Sequence, residues 1–346
     1  CACLVGSEMC IRDSGMGPKW KWLAKIFAFF GIGVGLLGIG TFTQVNGISS
    51  AVNNFFDPNN AWTVSLFGRT YSWTVVISCL ILTFCVALVL IGGIQRISKV
   101  AQVIVPFMAA TYFLAGILII LFNITDVPAA ILTIVQSAFG LKAAAGGALG
   151  AMVVAMQKGI ARGIFSNEAG LGSAPIAAAA ARTNEPVRQG LVSMTGTFID
   201  TIIICSITGI AIVLTGAYDM GLEGVAVTTK AFQLGLPFPD GVASFILMLC
   251  LVFFAFTTIL GWDYYSERCL EYLTNGKKKC IKAYRWVYIL CVFIGPYMTV
   301  SAVWTIADIF NGLMAIPNLI ALVALNGVVA KETKDYLDRI KKKEID

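Results

Sequence analysis

Two adjacent hydroxyls, Thr257 and Thr258, stand inside the oily run FFAFTTILGWDYY, nine to ten residues before Glu267. At about 1.5 Å of helical rise per residue that separation is about 15 Å, half of a hydrocarbon core roughly 30 Å thick. Hydroxyls are hard oxygen donors suited to an alkali cation. A helical threonine can also bond back to its own i−4 carbonyl, so the pair reads either as cation ligands or as self-satisfied helix residues. A second group lies in GIGTFTQVNGISS, where Thr41, Thr43, Gln44, Asn46, Ser49 and Ser50 interrupt an apolar stretch. Polar side chains within a membrane face the protein interior. Thr41 and Gln44 are three apart and share a helix face, from which they reach either a polar solute or a neighbouring helix.

Backbone chemistry is suggested by FGLKAAAGGALGA, which lies between Asp126 and Lys158. That interval exceeds the roughly 20 residues of one crossing, and each glycine costs about 1 kcal/mol relative to alanine in a helix interior. Gly146 and Gly147, with Gly150, therefore either interrupt the helix to line a cavity or allow close helix packing. Asp200, in GTFIDTIIIC, reads as a carboxylate within a span that either handles substrate or proton or pairs with a neighbour. The small-residue stretch GIARGIFSNEAGLGSAPIAAAAAR, residues 159–182, superficially resembles a phosphate loop. The Lys-Ser/Thr ending that would reach phosphate and magnesium is missing, because Gly172 is followed by Ser173-Ala174-Pro175. Asn167, Glu168 and their small neighbours are read instead as the inner end of a broken helix and a packed loop beneath it.

The elements that must position these residues follow from composition. Of the 346 residues 58% are hydrophobic and 13% charged, against about 25% charged in soluble domains. Apolar windows recur at 22–44, 73–93, 101–122, 128–157, 190–214, 242–262, 285–305 and 312–330, which predicts eight spans. Lys and Arg accumulate in alternate loops, with Arg69, Lys142 and Lys230 on the other side. This pattern places both ends in the cytoplasm. The same bias accounts for the net charge of +6 through loops facing anionic lipid rather than through nucleic-acid binding. The chain has no His and no paired carboxylates in a predicted span, which argues against acid–base enzyme chemistry. Of the ten cysteines, Cys1, Cys3 and Cys10 lie in the first ten residues and most of the others sit in apolar helices, and none has zinc-type spacing. Residues 1–14 lack an initiator Met, apolar periodicity and signal-peptide layout. They are set aside as a non-native segment, with truncation expected upstream.

The segments ARGIFSNEAGLGSAPIAAAAARTNEPVRQGLVSMTGTFIDT, GGIQRISKVAQVIVPFMA, TTILGWDYYSERCLEYL and NGLMAIPNLIAL together resemble the alanine/glycine:cation symporter family, and the likeness covers nearly everything after residue 20. The resemblance implies an all-α integral membrane protein with the leucine-transporter fold, two inverted five-helix repeats preceded by one extra helix. The eight spans then correspond to core helices three to ten of an N-terminally truncated chain. Its transporter domain is expected at 15–330, with a basic cytoplasmic tail at 331–346. The extra helix, core helices one and two and the family's Gly-Gly-Pro-Gly aromatic signature are absent from this sequence.

By the same resemblance, Gly146 and Gly147 belong to the broken sixth core helix and Gln44 to the polar third helix beside the substrate. Thr257 and Thr258 match the eighth-helix hydroxyls of a sodium site, and Trp262 borders the substrate pocket. The implied function is sodium-coupled import of alanine or glycine across the plasma membrane. Proton coupling within the same fold and a passive channel are the alternatives, although no rings of like charge or carbonyl-filter motifs are visible. Because the cation site would lie against a missing helix, the 346-residue chain by itself is expected not to transport.

Overall fold

The computed structural model describes residues 15–66, 68–139, 147–181, 183 and 185–342. The first apolar window is not one helix. After a 3₁₀ turn at Pro18–Trp20 come α1 (Lys21–Leu37) and α2 (Phe42–Phe56), separated by the non-helical residues 38–41. An antiparallel hairpin, β1 (Thr63–Leu66) and β2 (Arg69–Ser72), follows α2, a feature that an all-α expectation did not contain. It is tied to the end of α2 by Asp57, whose carboxylate accepts from the Ala61 amide at 2.7 Å, the Trp62 amide at 3.3 Å and the Ser72 hydroxyl at 2.7 Å. These bonds, Ser72's first, hold the Asp57 carboxyl below the usual carboxylate range.

Next are α3 (Trp73–Ile91), α4 (Gly93–Phe122), α5 (Val127–Ala138), α6 (Ala148–Asn167), the short α7 (Ala174–Ala178) and α8 (Pro186–Phe198). A π-helical segment, Ile199–Ile204, joins α8 to α9 (Cys205–Leu214), and α10 (Val225–Gly235) leads into the 35-residue α11 (Asp240–Thr274). The chain ends with α12 (Lys278–Ile294), a 3₁₀ turn at Gly295–Tyr297 and the 42-residue α13 (Val300–Lys341).

Six helical stretches among the described residues are long and apolar enough to cross a membrane: Pro18–Phe56, which contains the break between α1 and α2, Trp73–Ile91, Gln95–Phe122, Pro186–Leu214, Asp240–Thr274 and Val300–Lys341. They account for six of the eight predicted windows. Window 128–157 divides into the shorter apolar α5 and into α6, with residues 140–146 outside the described ones. Window 285–305 straddles the end of α12, the Gly295–Tyr297 turn and the start of α13. Hydropathy windows average over such breaks, so a turn with apolar side chains, here Gly-Pro-Tyr, leaves no trace in them.

α11 is the central post. It meets α1 through GIGVGLL: a Cβ at Gly35 would stand 1.9 Å from Ser266 Oγ, and one at Gly31 2.8 Å from Cys269 Sγ. Absent side chains thus let two backbones approach closely. One core joins α2, α3, α11 and α12 through Val45, Ile48, Val86, Leu90, Ile259 and Tyr288. A second joins α1, the 168–173 loop, α7, α11 and α13 through Phe27, Leu171, Ile176, Trp262 and Met314.

Candidate functional site

α11 begins after Pro239, with Asp240 in its first turn. It stops at Asn275 and Gly276, both in the left-handed region at φ 51° and 75°, where the Gly276 amide caps the Glu271 carbonyl at 2.9 Å. Between these ends Thr257 donates to the carbonyls of Phe253 (3.0 Å) and Phe254 (2.9 Å), and Thr258 donates to that of Phe254 at 2.9 Å. The protons of both hydroxyls are therefore satisfied within the helix. A hydroxyl that donates keeps its lone pairs, so both oxygens retain acceptor capacity. Thr258 and Trp262, four apart, share a face of α11.

The break at residues 38–41 is fastened beside that face. The Tyr288 hydroxyl of α12, fully buried, shares its proton between the carbonyls of Gly40 at 3.1 Å and Ile259 at 2.7 Å. Gly40 is a close-approach position, since a Cβ there would stand 2.7 Å from Trp262 Cβ. Thr41 is buried and donates to the Leu36 carbonyl, and Asn46 donates to the Met298 carbonyl at 3.1 Å. Half-buried Gln44 lies in the first turn of α2, immediately after the break. The structure thus sets the break before α2 beside Ile259, the residue after Thr258, and Gly40 against Trp262.

Trp262 is 2% exposed, and its indole Nε1 donates to Glu168 Oε1 at 3.0 Å. Glu168 ends α6 with φ 56° and receives the Ser173 hydroxyl at 2.5 Å on its other oxygen. Desolvation raises the Glu168 carboxyl above the usual range, against these two hydrogen bonds that pull it down. The same loop is sewn to its surroundings by Ser166 to Asp200 (2.7 Å), Asn167 to Thr201 (3.0 Å) and Asn318 to the Gly170 carbonyl (2.9 Å). Asp200 is therefore partnered, in a π-helical segment, a geometry that often marks functional positions. The 159–182 stretch, read from sequence as a packed loop, also anchors the buried Trp262 through Glu168. Glu168 and Trp262 are 94 positions apart, so no spacing rule could have paired them.

Gly146 lies outside the described residues. Gly147 is exposed at the start of α6. Glu168 is at the other end of that 20-residue helix, about 30 Å away by helical rise. The structure thus keeps Gly147 apart from the end of α6 that meets Trp262.

Two concavities flank α11. One, of about 810 Å³, is almost wholly apolar and includes Ile48, Val52, Trp62, Trp73, Ile81 and Phe256 in its lining. It offers few polar groups to a zwitterion. The other, of about 540 Å³, opens between α11 and α12 over Glu267, Glu271, Lys278, Lys282 and Arg285. Sequence reasoning missed the chemistry of this end, where Glu267 is 5% exposed and takes Arg285 on both oxygens, at 2.6 and 2.9 Å.

Comparison with known proteins matches residues 5–346 to the model of a family described as the sodium:alanine symporter family. The chain is 50% identical over 340 residues to an uncharacterized transporter of Haemophilus influenzae, covering 98% of this chain and 70% of that one. It is 43% identical over 343 residues to the sodium/alanine symporter AgcS of Methanococcus maripaludis, covering 97% and 69%. It is 34% identical over 324 residues to the amino-acid carrier protein AlsT of Bacillus subtilis, covering 94% and 64%.

Proposed function

The chain belongs to the sodium:alanine symporter family, and from that premise we propose that it is a sodium-coupled importer of alanine or glycine working by alternating access in the plasma membrane. In this proposal it has a leucine-transporter-like fold with eight membrane helices, a transporter domain over 15–330 and a basic tail from 331 on the cytoplasmic side with the other end. Thr257 and Thr258 ligate sodium. Gln44, Thr258 and Trp262 meet the amino acid.

The observation that carries this assignment is the Tyr288 clamp. By holding the Gly40 carbonyl and the Ile259 carbonyl together, it sets the break before Gln44 against the residue that follows Thr258. A helix interrupted at membrane depth is how secondary transporters expose backbone dipoles to ions and substrates. Energetically one cation suffices. The zwitterion carries no net charge, so a sodium ion crossing with it contributes about 2.3 kcal/mol per 100 mV, roughly a 50-fold gradient at 1.4 kcal/mol per decade.

The test is uptake of labelled alanine by the protein extended to the length of its relatives, in cells lacking their own alanine importer and normalised to membrane-inserted protein. Thr258→Ala is expected to raise the sodium concentration for half-maximal uptake, because it removes an oxygen ligand. Gln44→Ala is expected to weaken uptake while leaving insertion intact. Unchanged sodium dependence in the first variant removes Thr258 from the cation site, and wild-type kinetics in the second assign Gln44 to helix packing. Flux that ignores the sodium gradient altogether would favour a channel.

A further inference from the structure

Three carboxylates and two guanidinium groups crowd the last turns of α11 and the facing part of α12. Arg285 grips Glu267 through Nε to Oε2 at 2.6 Å and Nη2 to Oε1 at 2.9 Å. Arg268 adds a contact to Glu267 Oε1 at 2.9 Å and pairs with Glu271. Both cations are thereby committed. One turn before Glu267, Asp263 is 2% exposed, and its Oδ1 has no hydrogen-bond partner among the described residues. The buried Tyr284 hydroxyl, set near Ser266, also lacks hydrogen-bond geometry to any described neighbour and lies within electrostatic reach of Asp263.

An uncompensated buried carboxylate costs several kcal/mol, and a group so placed neutralises instead. A sodium ion could supply the charge, but two orphan oxygens fall well short of the about six to eight that a hard cation such as calcium collects. A proton needs one.

We propose that Asp263 is a proton-binding site: a neutral carboxyl while Arg285 holds Glu267, and a carboxylate once Arg285 turns to it. The cleft of about 540 Å³ over Glu267 and Arg285 supplies the exit. It ends one helical turn from Asp263, about 5.4 Å along the axis. Arg285 has the freedom to switch, because its side chain is 33% exposed whereas that of Glu267 is 7% exposed, and its charge already reaches Asp263. On release the Asp263 O–H bond breaks, its electron pair stays on Oδ1, and the proton passes to water in the cleft.

The charged and titratable groups within electrostatic reach of Asp263 are Glu267 and Arg268 on its own helix and Tyr284, Arg285 and Tyr288 on α12. The buried positions of α1, α2 and α3 carry one ionisable side chain, the remote Cys79 thiol, and Lys21 and Lys25 stand on exposed positions of α1.

This inference deepens the symporter assignment and rests on it only for the transport arm of its test. Infrared spectra of the purified protein in lipid at neutral pH should contain a protonated-carboxyl band that moves on aspartate-specific ¹³C labelling. The band should vanish in Asp263→Asn and shift in Asp263→Glu, which keeps the experiment decisive if the asparagine variant fails to insert. A labelled wild type with no such band, or a band indifferent to both variants, overturns the proposal. In proteoliposomes under a fixed sodium gradient, alanine uptake should vary with inside pH by up to about tenfold per unit, the limit for one proton. Asp263→Asn should flatten that profile while remaining sodium-dependent. Loss of sodium dependence with the pH response intact would make Asp263 a sodium ligand and overturn the proposal. If the protein extended to the length of its relatives takes up no alanine, the symporter assignment fails, and the infrared result still decides Asp263.

Discussion

α1 and α8 are both parts of apolar, glycine-bearing segments, yet they end in opposite surroundings. α1 buries Leu23, Ala24, Phe27, Ala28, Gly31, Val34 and Gly35, whereas α8 buries none of its 13 residues. Their glycines differ in the same way. A Cβ at Gly35 would collide with Ser266, while one at Gly190 or Gly196 in α8, or at Gly150 in neighbouring α6, would meet nothing within 4 Å. Small residues in an apolar helix form a packing face only where a second helix arrives to use it. Where none does, the same composition presents Leu149, Val153, Met156 and Leu191 outward.

The contrast can be tested from its strongest side first. Arg285→Ala strips the buried Glu267 of its bidentate partner on the packed side, and should cost about 3 kcal/mol. Thermal unfolding in detergent would reveal it, and a midpoint equal to wild type would mean that the pair is solvated after all. Next, Gly35→Ala should destabilise by about 1–3 kcal/mol through overpacking against α11. Gly150→Ala, the matched change in the exposed arm, should stabilise by up to about 1 kcal/mol. Equal effects at the two sites would erase the distinction between the regions.

The smallest effect is expected where the regions are tied at their rim. There Arg339, near the end of α13, pairs with Glu185, just before α8, at 2.8 and 2.7 Å. Its guanidinium holds the Glu185 carboxyl below the usual range, so the tie is fully present above the ordinary glutamate pKa and is lost as pH falls through the lowered value. Arg339→Gln should mimic acidification and should be barely detectable in high salt. Amide hydrogen exchange at the start of α8 is the measurement with the resolution to see it.

Much of this molecule was legible one-dimensionally. Apolar windows located six long apolar stretches correctly, because hydropathy acts within a few residues of chain; Thr41 and Gln44, read as sharing one helix face, are instead divided by the start of α2, with Thr41 in the break and Gln44 in the helix. Sequence alone also sufficed to recognise a symporter-like motif set around Thr257, Thr258 and Trp262. The Thr257 and Thr258 protons went to their own helix, as a local rule allows. Asp200 was read as handling substrate or proton or as pairing with a neighbour, and it pairs with Ser166; what the sequence reading passed over is Asp263, whose Oδ1 has no partner among the described residues.

What the sequence determined by itself was therefore the class of protein, most of its helices and the residue types able to bind an ion or an amino acid. Only the tertiary structure decided which of them meet. The Trp262 indole finds Glu168 across 94 positions, and the Tyr288 hydroxyl finds Gly40 across 248. Periodicity reports which face of a helix is apolar; it carries no information about which helix crosses that face, or at what height. That is set by where glycines such as Gly35 and Gly40 let backbones close to contact, and those contacts decide whether a buried polar atom is satisfied or, like Asp263 Oδ1, left to find a proton.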